Sequence, residues 1–286
     1  MIAIKVVLIG LTLVLYGTIP IAGAQGESSI ERVAPGVIST GRNQTFPTVD
    51  PAASFIWFSV YDKSFDNQTI MFSQRTESGW SEPNIAPFSG EWGDRAPRLS
   101  PDGSVLYFSS NRPITNGGDV GDINIWRTER VGQGWGSPEL LESPLNSAAN
   151  DMHVSVTDEA IWFASNREGG LGRSDIYRVG HDGAIEHPGT PINDEYSQPD
   201  LWVSRDESWM ILAISNHPDG FGGDDLYISR FDGDAWSVPV NLGPEVNTDE
   251  YEYGPSVSPD GEYLYFTSHK GGSADVYAVR LALVLD

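Results

Sequence analysis

The sequence contains no cysteine and few cations. It has 17 Lys and Arg residues against 40 Asp and Glu residues, so the net charge is −23 at pH 7. Without cysteine the chain can form no disulfide, carries no thiol nucleophile and has no cysteine for lipid attachment after a leader sequence. Because so negative a chain is repelled by phosphate backbones and anionic lipid surfaces, we expect no nucleic-acid partner.

Motifs of metal and phosphate chemistry are also missing. Five histidines are present without a His-Glu-x-x-His spacing, and neither a nucleophile elbow nor a phosphate-cradling glycine loop occurs. Two glycine-rich stretches, 116–122 and 220–225, hold acids that could bind calcium but lack EF-hand spacing. The alternative, which we favour, is that the acids that open the strands after such loops, Asp175, Asp225 and Asp275, accept backbone hydrogen bonds. We predict no metal and no cofactor.

Apolar residues dominate only the first segment of the chain. Lys5 precedes the apolar stretch Val6–Tyr16, and small residues follow at 22–24. This order predicts a secretory signal peptide over residues 1–24 and export to the periplasm or the exterior. A retained anchor is the alternative, but Gly17 and Pro20 interrupt the stretch, and we expect no stable membrane insertion after cleavage.

One short phrase recurs along the rest of the chain. Its clearest copies contain Ser100-Pro101-Asp102-Gly103 and Ser258-Pro259-Asp260-Gly261, each followed by an apolar strand. A pair of large residues fixes the register, and its five occurrences are 50 to 55 residues apart: Trp57-Phe58, Tyr107-Phe108, Trp162-Phe163, Leu212-Ala213 and Tyr265-Phe266. Unit four departs from the phrase, with Arg205-Asp206-Glu207 at the turn. The chain therefore contains five similar units.

Each unit carries signals for four strands and none for a helix. Pro-Asp-Gly gives the turn between strands a and b, and strand c follows a glycine-rich loop. Strand d carries Trp-x-x-Pro in Trp80–Pro83, Trp135–Pro138 and Trp236–Pro239, and proline favours an edge position. The sequence predicts an all-β fold, a five-bladed β-propeller of four-stranded antiparallel blades.

The last unit has no strand d of its own. A strand-like segment, Val33–Thr40, precedes the first unit, and we expect it to complete the last blade and close the ring. Residues 25–286 then form a single propeller domain, which we expect to be a monomer.

These repeats resemble the WD-repeat-like propeller repeats of the TolB type, which are common in bacterial envelope proteins. The resemblance is carried by the two Ser-Pro-Asp-Gly turns, by 107–112 (Tyr-Phe-Ser-Ser-Asn-Arg), by 166–170 (Asn-Arg-Glu-Gly-Gly) and by 175–177 (Asp-Ile-Tyr). It implies the propeller fold and implies no activity, because the same repeat serves binding modules, scaffolds and some enzymes. Five units are fewer than the six of TolB's own propeller.

Polar residues of strand a define a candidate ligand site. Alternation along this strand places one polar residue per unit toward the central channel: Thr48, Arg98, His153, Asp200 and Ser256. Arg98, His153 and Asp200 differ from unit to unit, as expected of a ligand site that the repeat does not dictate. We predict that these three converge at the channel mouth, although a self-contained Arg98–Asp200 ion pair is an alternative.

The loops between strands b and c add further candidates at the same mouth: Arg112, Arg167 and His217. Arg112 and Arg167 occupy one repeat position, so the alternative, which we favour, is that they pair with nearby acids or loop carbonyls.

Two functions remain open for a chain with these features. The first is a non-catalytic binding or scaffold propeller that holds a protein segment or a glycan on its loop-rich face. The second is a carbohydrate-active enzyme, a glycoside hydrolase or lyase, for which two carboxylates must face one another across the channel.

Overall fold

The computed structural model describes residues 30–61, 67–114 and 121–285. Within these ranges the chain consists of short strands and one terminal 3₁₀ turn, Leu281–Leu283. The strands are, in chain order, β1 (Glu31–Arg32), β2 (Gln44–Val49), β3 (Phe55–Tyr61), β4 (Gln68–Thr76), β5 (Gly79–Trp80), β6 (Asn84–Ile85), β7 (Asp94–Leu99), β8 (Val105–Ser110), β9 (Asn124–Val131), β10 (Gly134–Trp135), β11 (Glu139–Leu140), β12 (Asp151–Val156), β13 (Ala160–Ser165), β14 (Asp175–Gly180), β15 (Ile185–Glu186), β16 (Ser197–Val203), β17 (Trp209–Ser215), β18 (Asp224–Arg230), β19 (Val240–Asn241), β20 (Glu252–Val257), β21 (Tyr263–Ser268) and β22 (Asp275–Arg280).

The described strands form five small antiparallel sheets, one for each sequence unit. Blades 1 to 4 contain β2–β6, β7–β11, β12–β15 and β16–β19, and blade 5 contains β20–β22 with β1. The first strands of the blades, β2, β7, β12, β16 and β20, contact one another and so line the centre. The five-bladed β-propeller expected from the repeat is confirmed.

The amino-terminal segment closes the ring, but with different residues from those expected. The pairing strand is β1, in which Glu31 lies opposite Ala278 and Arg32 opposite Tyr277 of β22. Val33 donates one further backbone bond to Val276. Most of the predicted strand, 33–40, instead turns across the blade, with Ile38 fully buried. The turn arises because Ala34 and Gly36 both adopt positive φ and end the extended conformation.

Strand d of blades 1 and 2 is divided by its proline. In blade 1, β5 pairs with one end of β4 and β6 pairs further along the same strand, while Pro83 lies between them. Proline cannot donate to the ladder, so it fits only this outer edge.

The turns between strands a and b follow one plan. Ser100 Oγ donates to Asp102 and accepts from the N–H of Val105, and Gly103 adopts φ +72°. The hydrogen bonds that Asp102 accepts from Ser100 and Ser104 lower its pKa to about 2. Gly261 repeats the conformation with φ +73°, and in unit four Glu207 adopts φ +55° at this position. A glutamate therefore occupies a left-handed site that costs a non-glycine residue about 1 kcal/mol.

Packing between blades makes the core. Fully buried residues of strand b, such as Phe108, Phe163 and Phe266, contact residues of the neighbouring blades. This continuous apolar layer between sheets explains why strand b is apolar on both faces.

Candidate functional site

A β-bulge in the innermost strand of each blade shapes the centre of the ring. The strand a register shifts by one residue between Thr45 and Thr48 in blade 1 and at related points of the other four blades. Positive φ accompanies the bulge at Phe46, Ala96, His153 and Gly254. A bulge turns its side chain away from the regular alternation, so it brings these residues toward the axis.

In blades 1, 2 and 3 a backbone N–H group freed by the bulge donates a hydrogen bond to the preceding blade. The N–H of Phe46 donates to Thr267, that of Ala96 to Ser59 and that of His153 to Ser109, at 3.0–3.1 Å. The hydroxyl-bearing position is Ala164 in blade 3 and Ala213 in blade 4, as the cross-strand registers show. Blades 4 and 5 therefore need other solutions.

In blades 4 and 5 the contacts of the bulge involve His153 and Asp200. Pro199, the bulge residue of blade 4, has no N–H, and its carbonyl lies 2.7 Å from His153 Nδ1. At blade 5, the N–H of Gly254 donates to Asp200 Oδ2 at 3.2 Å. His153 Nδ1 also forms an ion-pair contact with Asp200 Oδ1. Because both neighbours are acceptors, His153 Nδ1 carries the hydrogen.

Arg98 completes the central group. Its Nε and Nη2 donate to the carbonyls of Val154 and Pro255 at 3.3 and 2.9 Å, so the side chain spans from blade 2 to blades 3 and 5. Burial lowers the pKa of the Arg98 guanidinium to about 10, and the charge of Asp200 opposes this shift. The structure thus brings Arg98, His153 and Asp200 together, and within the group the Asp200 carboxylate contacts His153, not Arg98.

Two polar atoms of this group, Arg98 Nη1 and His153 Nε2, have no hydrogen-bond partner among the described residues and are shielded from solvent. The buried Asp200 Oδ1 contacts only His153. The side chains of His153 and Asp200 are well buried, at 10% and 5% exposure. Buried polar atoms are normally paired with protein or with water, so these atoms define the candidate site.

Two aromatic rings border the central group. Phe46 lies 4.6 Å from the His153 ring and 5.3 Å from Tyr253, measured between centroids. Phe46 and Tyr253 are both buried, and a Cβ on Gly254 would lie 2.9 Å from the Phe46 ring. The two rings form an apolar barrier beside the polar atoms. Glycine is needed at position 254 because a larger residue would collide with the Phe46 ring.

A further acid lies close to this group. Burial, with smaller contributions from the charges of Asp200, Asp225 and Glu252, raises the pKa of Asp224 to about 6. The Ser215 hydroxyl donates to Asp224 at 2.5 Å and partly opposes the shift. Asp224 therefore changes charge near neutral pH beside the centre of the ring.

The expected register of the polar channel residues is wrong for two blades. Thr48, Arg98 and Ser256 lie opposite the first aromatic residue of strand b. In blade 3 Ser155 takes that place, and in blade 4 Trp202 does, opposite Ile211. The pair of unit four is therefore Ile211-Leu212 and not the expected Leu212-Ala213. His153 and Asp200 reach the centre because they lie in or beside the bulge, which alternation alone does not reveal.

Arg112 and Arg167 form matching networks at the loop end of their blades. Arg112 binds Asp94 at 2.6 Å and Arg167 binds Asp151 at 2.6 Å. Each also donates to a serine hydroxyl in its own blade and to loop carbonyls before it, such as Phe88 and Leu145. The observed partners are those of the structural alternative.

His217 lies apart from the central group. It contacts the Asp219 carboxylate and packs edge-on against Tyr196 and Tyr227 at 4.9 and 5.4 Å. The structure places it in the b–c loop of blade 4 and does not bring it to Arg98.

The acids that follow the glycine-rich loops accept backbone hydrogen bonds, as favoured from the sequence. Asp175 accepts from Leu171 and Gly172 at 2.5 and 2.8 Å, and Asp225 accepts from Phe221 at 2.6 Å. Among the described residues no group of three or more His, Asp or Glu side chains could hold a metal ion. Most of the 116–122 stretch lies outside the described residues.

Sequence comparison gives few relatives of this chain. No family model matches it. An uncharacterized protein of Agrobacterium fabrum, Atu1656, is 26% identical over 189 residues, or 65% of the chain. The match covers 54% of that protein, so the chain spans about half the length of the curated relative it matches.

Structural comparison gives closer agreement in shape. TolB of Acinetobacter baumannii superposes with a TM-score of 0.52 at 16% identity, covering 83% of this chain and 54% of TolB. The catalytic domain of a GH62 α-L-arabinofuranosidase from Coprinopsis cinerea gives 0.54 at 11% identity, with 88% and 96% covered. The part of the chain that the structure describes contains no helix long and apolar enough to cross a membrane. At these identities the likeness concerns the fold alone, and this chain is a five-bladed β-propeller with a fold similar to that of TolB.

Proposed function

We propose that this chain is an exported, non-catalytic binding propeller that holds a segment of another protein at its centre. The observation that carries the proposal is the pair of unpartnered atoms Arg98 Nη1 and His153 Nε2, beside the Asp200 carboxylate, whose Oδ1 contacts only His153. These residues break the repeat, come from three successive blades and meet beside the axis. Arg98 Nη1 is a cationic donor, whereas His153 Nε2 and Asp200 Oδ1 are acceptors. A donor beside two acceptors suits a terminal carboxylate and the peptide N–H next to it.

Access to these atoms requires the Phe46 ring to move. Phe46 is held at φ +52°, an uncommon conformation for an aromatic residue, and rests on His153. Strained backbone of this kind is concentrated at functional sites. A bound chain end would displace the Phe46 ring and accept from Arg98.

The proposal is tested with matched peptides. Arrays of hexapeptides with free carboxyl ends and with amidated ends are exposed to residues 25–286 of the protein. We expect saturable binding of free-acid peptides, weakened at least tenfold by Arg98→Met, which keeps the aliphatic volume and removes the charge. Arg205→Met is the control, because Arg205 is 64% exposed, pairs with Asp158 and also loses one charge. Equal binding of amidated peptides, or unchanged binding by Arg98→Met, would contradict the proposal.

A carbohydrate-active enzyme is a second candidate, and Asp224 is the observation in its favour. A carboxyl group with a pKa of about 6 can act as an acid near neutral pH, and Asp200 is close enough to influence it. Release of reducing ends from an oligosaccharide panel, abolished by Asp224→Asn, would support this function. Absence of turnover across the panel would leave the binding propeller.

Localisation and assembly belong to the same proposal. We expect removal of residues 1–24, a periplasmic or secreted mature chain and a monomer that does not bind nucleic acid. Amino-terminal sequencing of the exported protein and light scattering test these expectations.

A further inference from the structure

A second recess lies between blades 3 and 4, at the end of the ring where strands a and b are joined. It has a volume of about 470 Å³ and is lined by residues of both blades: Trp162, Arg178, Glu186, Pro188, Thr190, Pro191, Glu207, Phe231, Asp234, Ala235 and Trp236. The b–c loops with Arg112 and Arg167 lie at the opposite end. This recess is therefore separate from the central group.

The repeat supplies an internal reference for this recess. Trp162 of blade 3 meets Trp236 of blade 4 edge to face, with centroids 5.8 Å apart and planes at 86°. Trp57 of blade 1 meets Trp135 of blade 2 in the same way, at 5.6 Å and 90°. The two junctions thus share one aromatic frame, and they can be compared residue by residue.

Between blades 1 and 2, phenylalanine side chains fill the space around the two tryptophans. Phe72 lies opposite Trp57 in the sheet with ring centroids 4.9 Å apart, and Phe88 stacks on Phe108 while contacting both tryptophans. The residue opposite Trp162 is Arg178, and the loop after β15 brings Pro188, Thr190 and Pro191. Replacement of aromatic filling by an arginine and small residues leaves the space between blades 3 and 4 open.

Glu207 is the second departure at this junction. It occupies the turn position at which units two and five have glycine, and it keeps the left-handed conformation, φ +55°. Its Oε1 accepts from Thr157 Oγ and Trp162 Nε1 at 2.7 and 2.9 Å, and its Oε2 accepts from Arg178 Nε at 3.0 Å. In the reference junction Trp57 Nε1 has no partner among the described residues. Glu207 therefore fixes the Trp162 indole and the Arg178 guanidinium at the wall of the recess.

The side chains that line the recess indicate the chemical class of ligand that it can bind. Arg178 is clamped between Glu207 and Glu186, at 3.0 and 3.2 Å, so its guanidinium and the two carboxylates are held in fixed directions. Phe231 is 38% exposed and the partly exposed Trp236 lies 5.3 Å from it, which gives an apolar wall. Fixed polar groups facing an aromatic wall match a ring that carries hydroxyls at its edge and C–H groups on its face.

A cationic ligand fits less well. The face of Trp162 is already covered by the Arg178 guanidinium, 5.8 Å from the ring centroid. A second cation at this place would meet the charge of Arg178. We propose that the recess between blades 3 and 4 is a binding site for a neutral saccharide, and that its volume admits about two sugar rings.

The test uses a panel of neutral disaccharides: maltose, cellobiose, lactose, xylobiose, chitobiose and gentiobiose. Binding to residues 25–286 is measured by saturation-transfer NMR and titration calorimetry. We expect saturable binding of at least one disaccharide with Kd on the order of 1 mM, as weak single-site recognition gives. Arg178→Phe, which installs the residue type of blade 1, should weaken that binding at least tenfold, and so should Trp236→Ala.

Two control variants locate the binding within the ring. Phe72→Arg changes the reference junction and should leave Kd unchanged, as should Arg98→Met at the central group. Melting curves show whether each variant is folded, and the Trp236 variant keeps the test valid if Arg178→Phe does not fold. Absence of saturable binding up to about 20 mM, or binding by both recess variants equal to that of the parent, would overturn the proposal.

Discussion

Asp224 is predicted to weaken the folded protein at neutral pH. Its pKa is raised from the usual 3.8 to about 6, mainly by burial and further by the charges of Asp200, Asp225 and Glu252. Each pKa unit corresponds to about 1.4 kcal/mol, so the ionised carboxylate lowers the free energy of unfolding by about 3 kcal/mol. This loss of stability is complete when the pH lies above the pKa of Asp224 in the folded protein. It disappears below the pKa of Asp224 in the unfolded chain. Stability should therefore rise as pH falls from about 7 to about 4.

Replacing Asp224 by asparagine removes the charge and keeps an oxygen for the Ser215 hydroxyl. We expect Asp224→Asn to stabilise the protein by about 1–3 kcal/mol at pH 8, the lower figure allowing for an unpaired amide N–H. The gain should disappear at pH 4, where the aspartic acid is already neutral in the folded state. Urea unfolding at pH 8, 6 and 4, followed by tryptophan fluorescence, measures this difference.

Asp102→Asn provides a control of opposite sign. Hydrogen bonds from Ser100 and Ser104 lower the pKa of Asp102 to about 2, so its charge supports the folded state above pH 4 and loses that effect toward pH 2. The group is almost fully exposed, and solvent screening keeps the loss within about 1 kcal/mol. If Asp224→Asn is no more stable than the parent at pH 8, or gains equally at pH 4 and 8, burial of a charged Asp224 is not the cause.

Further predictions concern the turns and the closure. Gly103→Val should cost about 2–3 kcal/mol and Gly261→Val only about 1, because both have positive φ but a Cβ on Gly103 would lie 3.1 Å from Pro51, while nothing lies within 4 Å at Gly261; equal melting temperatures of the two variants would refute this. Deleting residues 25–41 should remove β1, expose the edge of β22 and cause aggregation. A truncated protein that remains monomeric with an unchanged melting temperature would show that β1 does not hold the ring.

The repeat made the fold predictable from sequence. Turn motifs, paired aromatic residues and the missing last strand d indicated five blades and amino-terminal closure. The closing residues were misplaced, because a strand-like composition in 33–40 does not show the positive φ of Ala34 that turns the chain. Local conformation of this kind is determined by packing against blade 5.

The central group could be predicted only in part. Arg98, His153 and Asp200 were identifiable because they depart from the repeat at inward positions. Phe46 and Tyr253 looked like ordinary strand residues, since a bulge leaves no mark in an alternating pattern. Asp224 and Glu207 depend on which side chains of neighbouring blades face them, and that information is absent from a single unit. The glutamate at a glycine position of the turn was the one signal for the recess.

The ring of bulge hydrogen bonds has a consequence for local opening. Blades 1, 2 and 3 each donate a bulge N–H to a hydroxyl of the preceding blade, whereas in blade 4 that bond comes from beyond the bulge, where the N–H of Val203 donates to Ser155. The same junction contains the open recess of about 470 Å³. Looser packing at the recess lowers the free energy of a local separation. Amide hydrogen exchange should therefore be faster along β16 than along β7. We expect the propeller to open locally between blades 3 and 4 and not where β1 closes the ring.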